Sequence, residues 1–357
     1  MSQQITKRIL TAIVALGISL SLTACDPPMP PDVAAQILEQ TYTCKEGAAK
    51  VSFPTLMSDL APQWSDSLSG ACVDPEPAMT FEAVEPGTES DIVIGAYPGT
   101  EKCDALATVP FALESADLVF QLADYTTLNL RPATIAKILN GEITNWNDSA
   151  ISNDNDGSEF PDLAIGIVDT ADKLALESFA TWMNNLGHDI GSAPITAGDE
   201  VSEAPALDEG AIAIMPHSAA ITAGLYSTSV ILGKDKETKE VLYAYSDPQG
   251  VASAASQLEP KKSGSTVTFN LNPKIAPVAQ AGFDTAAPPY QAIYPVNLTI
   301  CGQDNLVNRA VALYLLRLDS QGMMGTSAYN PLPEQVRVDA LSVVRKGLPK
   351  PKAPPTE

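Results

Sequence analysis

The side chains of this 357-residue chain that could do chemistry are limited in kind: five cysteines, two histidines and a large excess of carboxylates. Asp172 and Glu177 could be paired acid–base carboxylates. The plainer reading is preferred: both are acids near a helix N-terminus, where the macrodipole favours negative charge. His217 follows Pro216 and reads as a loop or strand-end residue. No Ser-His-Asp ordering carries supporting motifs, no Gly-rich loop ends in Lys-Ser/Thr, and no zinc motif is present. No enzyme activity, cofactor or metal is expected. Trp64, Trp146 and Trp182 fall in helical or turn segments and are expected in the core.

Cys25 differs from the other cysteines. Lys7 and Arg8 precede an apolar run, Ile9 to Leu22, and Leu22-Thr23-Ala24 leads directly into Cys25. A basic stretch followed by a short apolar run reads as a secretion signal. The run falls short of the roughly 20 residues of a membrane-spanning helix. The small residues before the cysteine resemble the lipobox of bacterial lipoproteins. That resemblance implies a lipidated Cys25, removal of residues 1–24, and a protein held at the cell membrane outside the cytoplasm. Cys44, Cys72, Cys103 and Cys301 are then an even set in an oxidising compartment, expected as two disulfides with three pairings open. A metal cluster is the rival reading. It lacks a Cys-x-x-Cys pair, and His188 and His217 stand apart from every cysteine.

The formal net charge is −22, and it becomes more negative by two when Lys7 and Arg8 leave with the signal. Such a chain is a poor partner for nucleic acid or anionic lipid. Acidity is mildly unfavourable for anion capture, although backbone dipoles in a cleft can overcome it. Apolar content of 45% indicates a folded globular protein. About 330 residues remain after the signal, which makes two lobes the default.

Asp26-Pro27-Pro28-Met29-Pro30-Pro31 reads as a stiff extended spacer within a tether over residues 25–35. Residues 346–357 read as a disordered tail. Between them strand and helix patterns alternate. Strands are expected at Ala48–Ser52, Met79–Val84, Asp91–Ala96, Asp117–Leu122, Leu163–Val168, Ala211–Met215 and Asn297–Cys301. Helices are expected at Leu56–Leu68, from Pro132 to about Leu139, from about Asp172 to Asn185, at Asn305–Gln321 and from Pro333 to Val344. This alternation argues for α/β lobes. Residues 234–292 are rich in Ser, Gly, Ala, Pro and Lys and read as a loop-rich excursion, with Thr266–Leu271 the clean strand in it.

Several segments, in order, resemble the phosphate-binding proteins that feed ABC-type phosphate importers. They are Ser52-Phe53-Pro54 with a helix reaching Trp64, and the stretch Leu128–Asp148 with Gly141-Glu142-Ile143 and Trp146-Asn147-Asp148. Leu163–Val168, Gly210–Ile214 and Tyr329–Val336 follow. The resemblance spreads over nearly the whole mature chain. It implies a two-lobe α/β clamp crossed twice by the chain, with ligand held at strand ends and helix N-termini. The first lobe is then residues 36–113 plus 295–357, and the second 114–294 including the 234–292 excursion. Cys44–Cys72 and Cys103–Cys301 are the disulfides this arrangement favours. The implied partners are phosphate or a related small polar solute and a membrane ABC permease, with the chain a monomer.

The implied ligand set is incomplete. Such proteins hold phosphate with hydroxyls, backbone N–H groups, a bidentate arginine and an aspartate. Ser52 matches a ligand hydroxyl. Thr170 stands where the arginine should be, Asp172 persists, and Lys173–Leu176 replaces a Gly-Ser-Gly-Thr stretch. Ser178 is a substitute hydroxyl. Ile94-Gly95-Ala96-Tyr97 offers no carboxylate where the proton-accepting aspartate should be, and Glu85 and Glu89 add negative charge after the second strand. Between Asn129 and Val296 the arginine available is Arg131 alone. The expectation is a phosphate-type clamp with altered or lost phosphate specificity, the alternative being a clamp that serves as a cell-surface scaffold or sensor.

Overall fold

The computed structural model describes residues 42–74, 76–96, 103–169, 172–191, 206–280 and 282–349. The signal segment, Cys25 and its tether, and Thr170 lie outside the described residues. Residues 42–349 fall within one compact unit.

The first strands, β1 (Gly47–Ser52), β2 (Met79–Val84) and β3 (Ile92–Gly95), run parallel, with helix α1 (Leu60–Ala71) between β1 and β2. A long strand follows, β4 (Ala105–Phe120), then β5 (Asn129–Leu130), α2 (Pro132–Leu139), α3 (Ser149–Asp154), β6 (Gly166–Val168) and α4 (Lys173–Asn185). Next come β7 (Ala211–Pro216), α5 (His217–Thr222), β8 (Tyr226–Ser227), β9 (Ser229–Lys234), β10 (Val241–Ala244) and α6 (Pro248–Ala255). The chain continues through β11 (Leu258–Ser263), β12 (Thr266–Leu271), β13 (Ile293–Cys301), α7 (Leu306–Leu315), α8 (Leu318–Gly322) and α9 (Glu334–Val344). The fold is mixed α/β, as the alternation predicts. The main path of the sheet runs β11-β12-β4-β13-β3-β1-β2, and β7 and β8 extend it from β4, with β6 on β7.

Two large hydrophobic clusters flank this sheet. One gathers Val51, Trp64, Ile92, Phe111, Leu298, Leu315 and Val336. The other gathers Leu118, Phe120, Ile135, Trp146, Phe179, Trp182 and Ile214. β4 belongs to both, through Val109 to Leu113 in the first and Ala116 to Phe120 in the second. β13 lies antiparallel beside it, with Pro295 opposite Leu113.

Residues 234–292 differ from expectation. Besides the expected strand Thr266–Leu271 (β12), they hold β10, α6 and β11. Val251, Ala254, Ala255, Leu258 and Val267 bury themselves in the first cluster. The physical reason is the free edge of β4, which β12 covers by parallel pairing at Thr108. The expected Asn305–Gln321 helix breaks at Leu316 and Arg317, where Arg317 forms an ion pair with Asp319 and stacks over the Tyr42 ring. Of the tail expected from Lys346, Leu348 donates its N–H to the Arg345 carbonyl and is buried in the first cluster, and residues 350–357 lie outside the described residues.

The sequence motifs meet in space. Trp146, fully buried, donates its indole N–H to the Gly210 carbonyl at 2.9 Å. This ties the Trp-Asn-Asp segment to the start of β7. Trp64 likewise donates to the Ser320 carbonyl, and Trp182 packs on Phe179 and Tyr290. Disulfides join Cys44 to Cys72 and Cys103 to Cys301. The first closes a loop 28 residues long, worth about 3–4 kcal/mol in the chain-entropy view. Among the described residues no helix is long and apolar enough to cross a membrane.

Gly210 adopts a φ of +86°, and a Cβ there would lie 2.8 Å from the Ala164 carbonyl and 2.9 Å from Leu163 Cδ2. Gly210→Ala is therefore expected to lower stability by about 2 kcal/mol or more. Urea unfolding followed by tryptophan fluorescence checks this.

Candidate functional site

The strand pairings place two sets of strand ends face to face. β1, β2 and β3 end at Ser52, Val84 and Gly95, and Gly95 is level with Asn297 and hence with Pro110 on β4. β6 and β7 run parallel to each other and end at Val168 and Pro216, and Pro216 lies opposite Ala116 on β4. Because β7 is antiparallel to β4, its carboxyl end faces the carboxyl ends of the first set. The stretch of β4 from Pro110 to Ala116 spans the interval, about 20 Å when extended. In α/β folds such facing carboxyl ends are where ligands bind. The ends of these strands converge: Leu56 after β1 and Val168 at the end of β6 both pack against the small cluster of Val119, Ala213, Met215, Ala219 and Ala220.

Ser52 is 1% exposed, and its hydroxyl has no hydrogen-bond partner. Asp172 is equally buried and accepts from the Ala175 N–H at 2.8 Å as the N-cap of α4. It is thus the helix-terminal acid the plainer reading anticipates. Glu177 stays outside the buried site and makes a surface pair with Lys173, both about half exposed. Ser178 is half-buried on α4, about 9 Å along the axis from Asp172, beyond the first turn where helix-start N–H groups lie free. Arg131 is spent locally. Its guanidinium and backbone N–H both bind Asp154, which also accepts from the Thr134 hydroxyl at 2.6 Å.

The middle of β4 carries a polar group that the sequence motifs do not reveal. Glu114, Ser115 and Asp117 are all 2% exposed or less. Glu114 Oε1 accepts from the backbone N–H groups of Ser115 at 3.1 Å and Ser218 at 3.4 Å. His217, at the end of β7, places Nδ1 2.7 Å from Asp117 Oδ2, which also accepts from the Ser227 hydroxyl. Among the described residues, Asp117 Oδ1, Ser115 Oγ and Thr228 Oγ1 are buried without a partner. Tyr290 closes one side, its hydroxyl donating to the Ala116 carbonyl at 2.7 Å. Burial pushes Glu114 up to about 8, against the opposing pull of neighbouring donors and His217. Burial works to lower His217, but Asp117 and more distant Glu114 and Asp247 overcome it and raise the imidazole to about 9. At neutral pH Glu114 is therefore uncharged and His217 is a cation. The signal for this group was the two acids interrupting an otherwise apolar run, Val109 to Phe120.

No family model matches the chain. It is 24% identical over 278 residues to the phosphate-binding protein PstS 3 of Mycobacterium leprae, covering 70% of each chain. It is 35% identical to the phosphate-binding protein PstS 2 of Mycobacterium tuberculosis over 74 residues, 20% of each. Among solved structures, the ancestral soluble variant of the human phosphate binding protein aligns over 84% of this chain and 93% of its own, at 14% identity and a TM-score of 0.49. The chain is a divergent relative of curated phosphate-binding proteins, the resemblance its motifs carry.

Glu114 and His217 both hold a proton more tightly folded than unfolded. Their stabilisation is complete below the ordinary values of 4.5 and 6.5 and is lost as pH rises through about 8 and about 9. The melting temperature is expected to fall by roughly 5 °C or more between neutral pH and pH about 9.5. The fall should be smaller in Glu114→Gln. Calorimetric scans across pH test this; a flat profile would refute it.

Proposed function

We propose that the chain is an extracytoplasmic receptor that captures phosphate or a related small polar solute between the facing strand ends. It passes the solute to a membrane permease of the ABC type. Lipid on Cys25 holds it at the cell membrane, and the Pro27–Pro31 spacer lifts the folded body clear. It acts by binding, not catalysis, with two lobes built on the two hydrophobic clusters and closing about the β4–β13 pair.

One observation carries this reading: hydroxyls buried without a partner among the described residues, Ser52 at the end of β1, Ser115 on the crossing strand itself and Thr228 next to Leu118 of that strand, lie at or next to the interval between the strand ends. Buried polar atoms are costly unless paired, and a polar solute would pair them. The mycobacterial relative is a phosphate-binding protein by name, which makes phosphate the first solute to try. On this reading Asp172, the N-cap of α4, and Ser178 on the same helix contribute from the side of β6, and Thr170, which lies outside the described residues, is the remaining candidate by resemblance.

A second reading has its own support. With Arg131 bound to Asp154, the bidentate guanidinium that phosphate capture favours is missing from this half of the molecule, and a clamp without it could serve as a scaffold or sensor.

Calorimetric titration with phosphate, and with sulfate as control, separates the two. Micromolar or tighter phosphate binding is expected, weakened about tenfold or more in Ser52→Ala, the worth of one hydrogen bond to a charged group. No heat at millimolar phosphate from folded protein would leave the scaffold reading.

A further inference from the structure

His217 is one of the two histidines of the chain, and its setting is that of a held donor. Nδ1 is fixed by Asp117, whose side chain is fully buried, while His217 keeps 14% of its own side chain exposed. Nε2 has no hydrogen-bond partner among the described residues. The ring sits at the carboxyl end of β7, the strand end that faces β1 to β3. The segment it opens, α5, packs on the 3-10 turn Thr55–Met57 just after Ser52. A carboxylate behind one imidazole nitrogen fixes the tautomer and ring direction and leaves the other N–H to act. Arg131 is tied to buried Asp154, and Lys173 pairs with Glu177 at the surface.

Resting on the receptor reading above, we propose that His217 is the cationic donor of the solute site, its Nε2–H directed at an oxygen of an anion such as phosphate, with Asp117 as the positioning residue. In this chain a histidine from β7 would thus take over the charge that an arginine supplies in the phosphate-binding proteins it resembles. One charge-assisted hydrogen bond replaces a two-pronged fork. The groups facing His217 are compatible with this. Asp117 is paired to it, Glu114 carries its proton at neutral pH, Asp247 lies further off as the N-cap of α6, and the Tyr290 hydroxyl is turned to the Ala116 carbonyl.

The test uses inorganic phosphate and the purified full-length chain. Long-range proton–nitrogen spectra show the ring nitrogens of His188 and His217. At pH about 7, phosphate is expected to move the His217 Nε2 signal saturably and leave His188 in place. His217→Gln should lose phosphate affinity about tenfold or more, and the gap between it and the wild type should narrow as pH rises past about 9. Phosphate heat that saturates while His217 Nε2 stays still, with His217→Gln binding as tightly as wild type, overturns this role and leaves the receptor reading intact. Absence of both heat and shift in the wild type overturns both. If the variant does not fold, the wild-type spectra decide alone.

Discussion

The structure depends on how two buried carboxylates in the middle of one strand are satisfied. β4 is shared by both hydrophobic clusters, and at the join it carries Glu114 and Asp117 with almost no exposure. An unpaired buried carboxylate is among the costliest groups a fold can contain. Glu114 is handled by keeping its proton and accepting two backbone N–H groups. Asp117 is handled by an imidazolium that must arrive from β7. For His217 to reach it, Pro216 must lie opposite Ala116, the pairing observed. A slip of one residue would move the ring to the other face of the strand. The ion pair therefore fixes the β7 register, and through it the facing of the two sets of strand ends.

Much of the fold was legible because its signals are local. Pro132 opening α2, Asp172 capping α4 and the apolar periodicity of α7 are each read from a few neighbouring residues. The motif segments were legible for a different reason: Trp146 and Gly210 touch, so each constrains the other. The first half of β4 was not legible, since Pro110, Glu114 and Ser115 break the pattern that marks a strand, and only pairing with β13 makes that run extended. In the β11–β12 hairpin, β12 was read with its bounds, Thr266–Leu271, but β11 was not, because Lys261-Lys262 and Gly264 read as loop; the hairpin's position is set by the distant edge of β4.

The candidate site divides along the same line. Ser52 and Asp172 sit in short-range patterns and were found. The Asp117–His217 pair spans a hundred residues of chain, and nothing near His217 announces its partner. Ser178 is expected as a substitute hydroxyl, but here the helix start lacks the small residues that let a backbone approach an anion. Leu174, Leu176 and Ala175 belong instead to the packing of the second cluster.

The economy of cations gives the site its character. The buried arginines on the C-terminal helices are each tied to a carboxylate: Arg309 to Asp304, Arg317 to Asp319 and Arg337 to Glu334. They hold helices together in a strongly acidic protein and cannot also hold a solute. On the proposed reading, what the interval between strand ends offers among the described residues is hydroxyls, backbone groups and the His217 imidazole. A hydroxyl can donate or accept, so such a site does not demand a fully ionised anion as a guanidinium fork does. On the receptor reading, selectivity here would rest on the placement of hydrogen-bonding groups more than on charge, and a net negative surface would slow the approach of multiply charged anions. A singly charged or neutral polar solute pays less for that approach, so the loss of arginine and the acidity of the chain push specificity in the same direction.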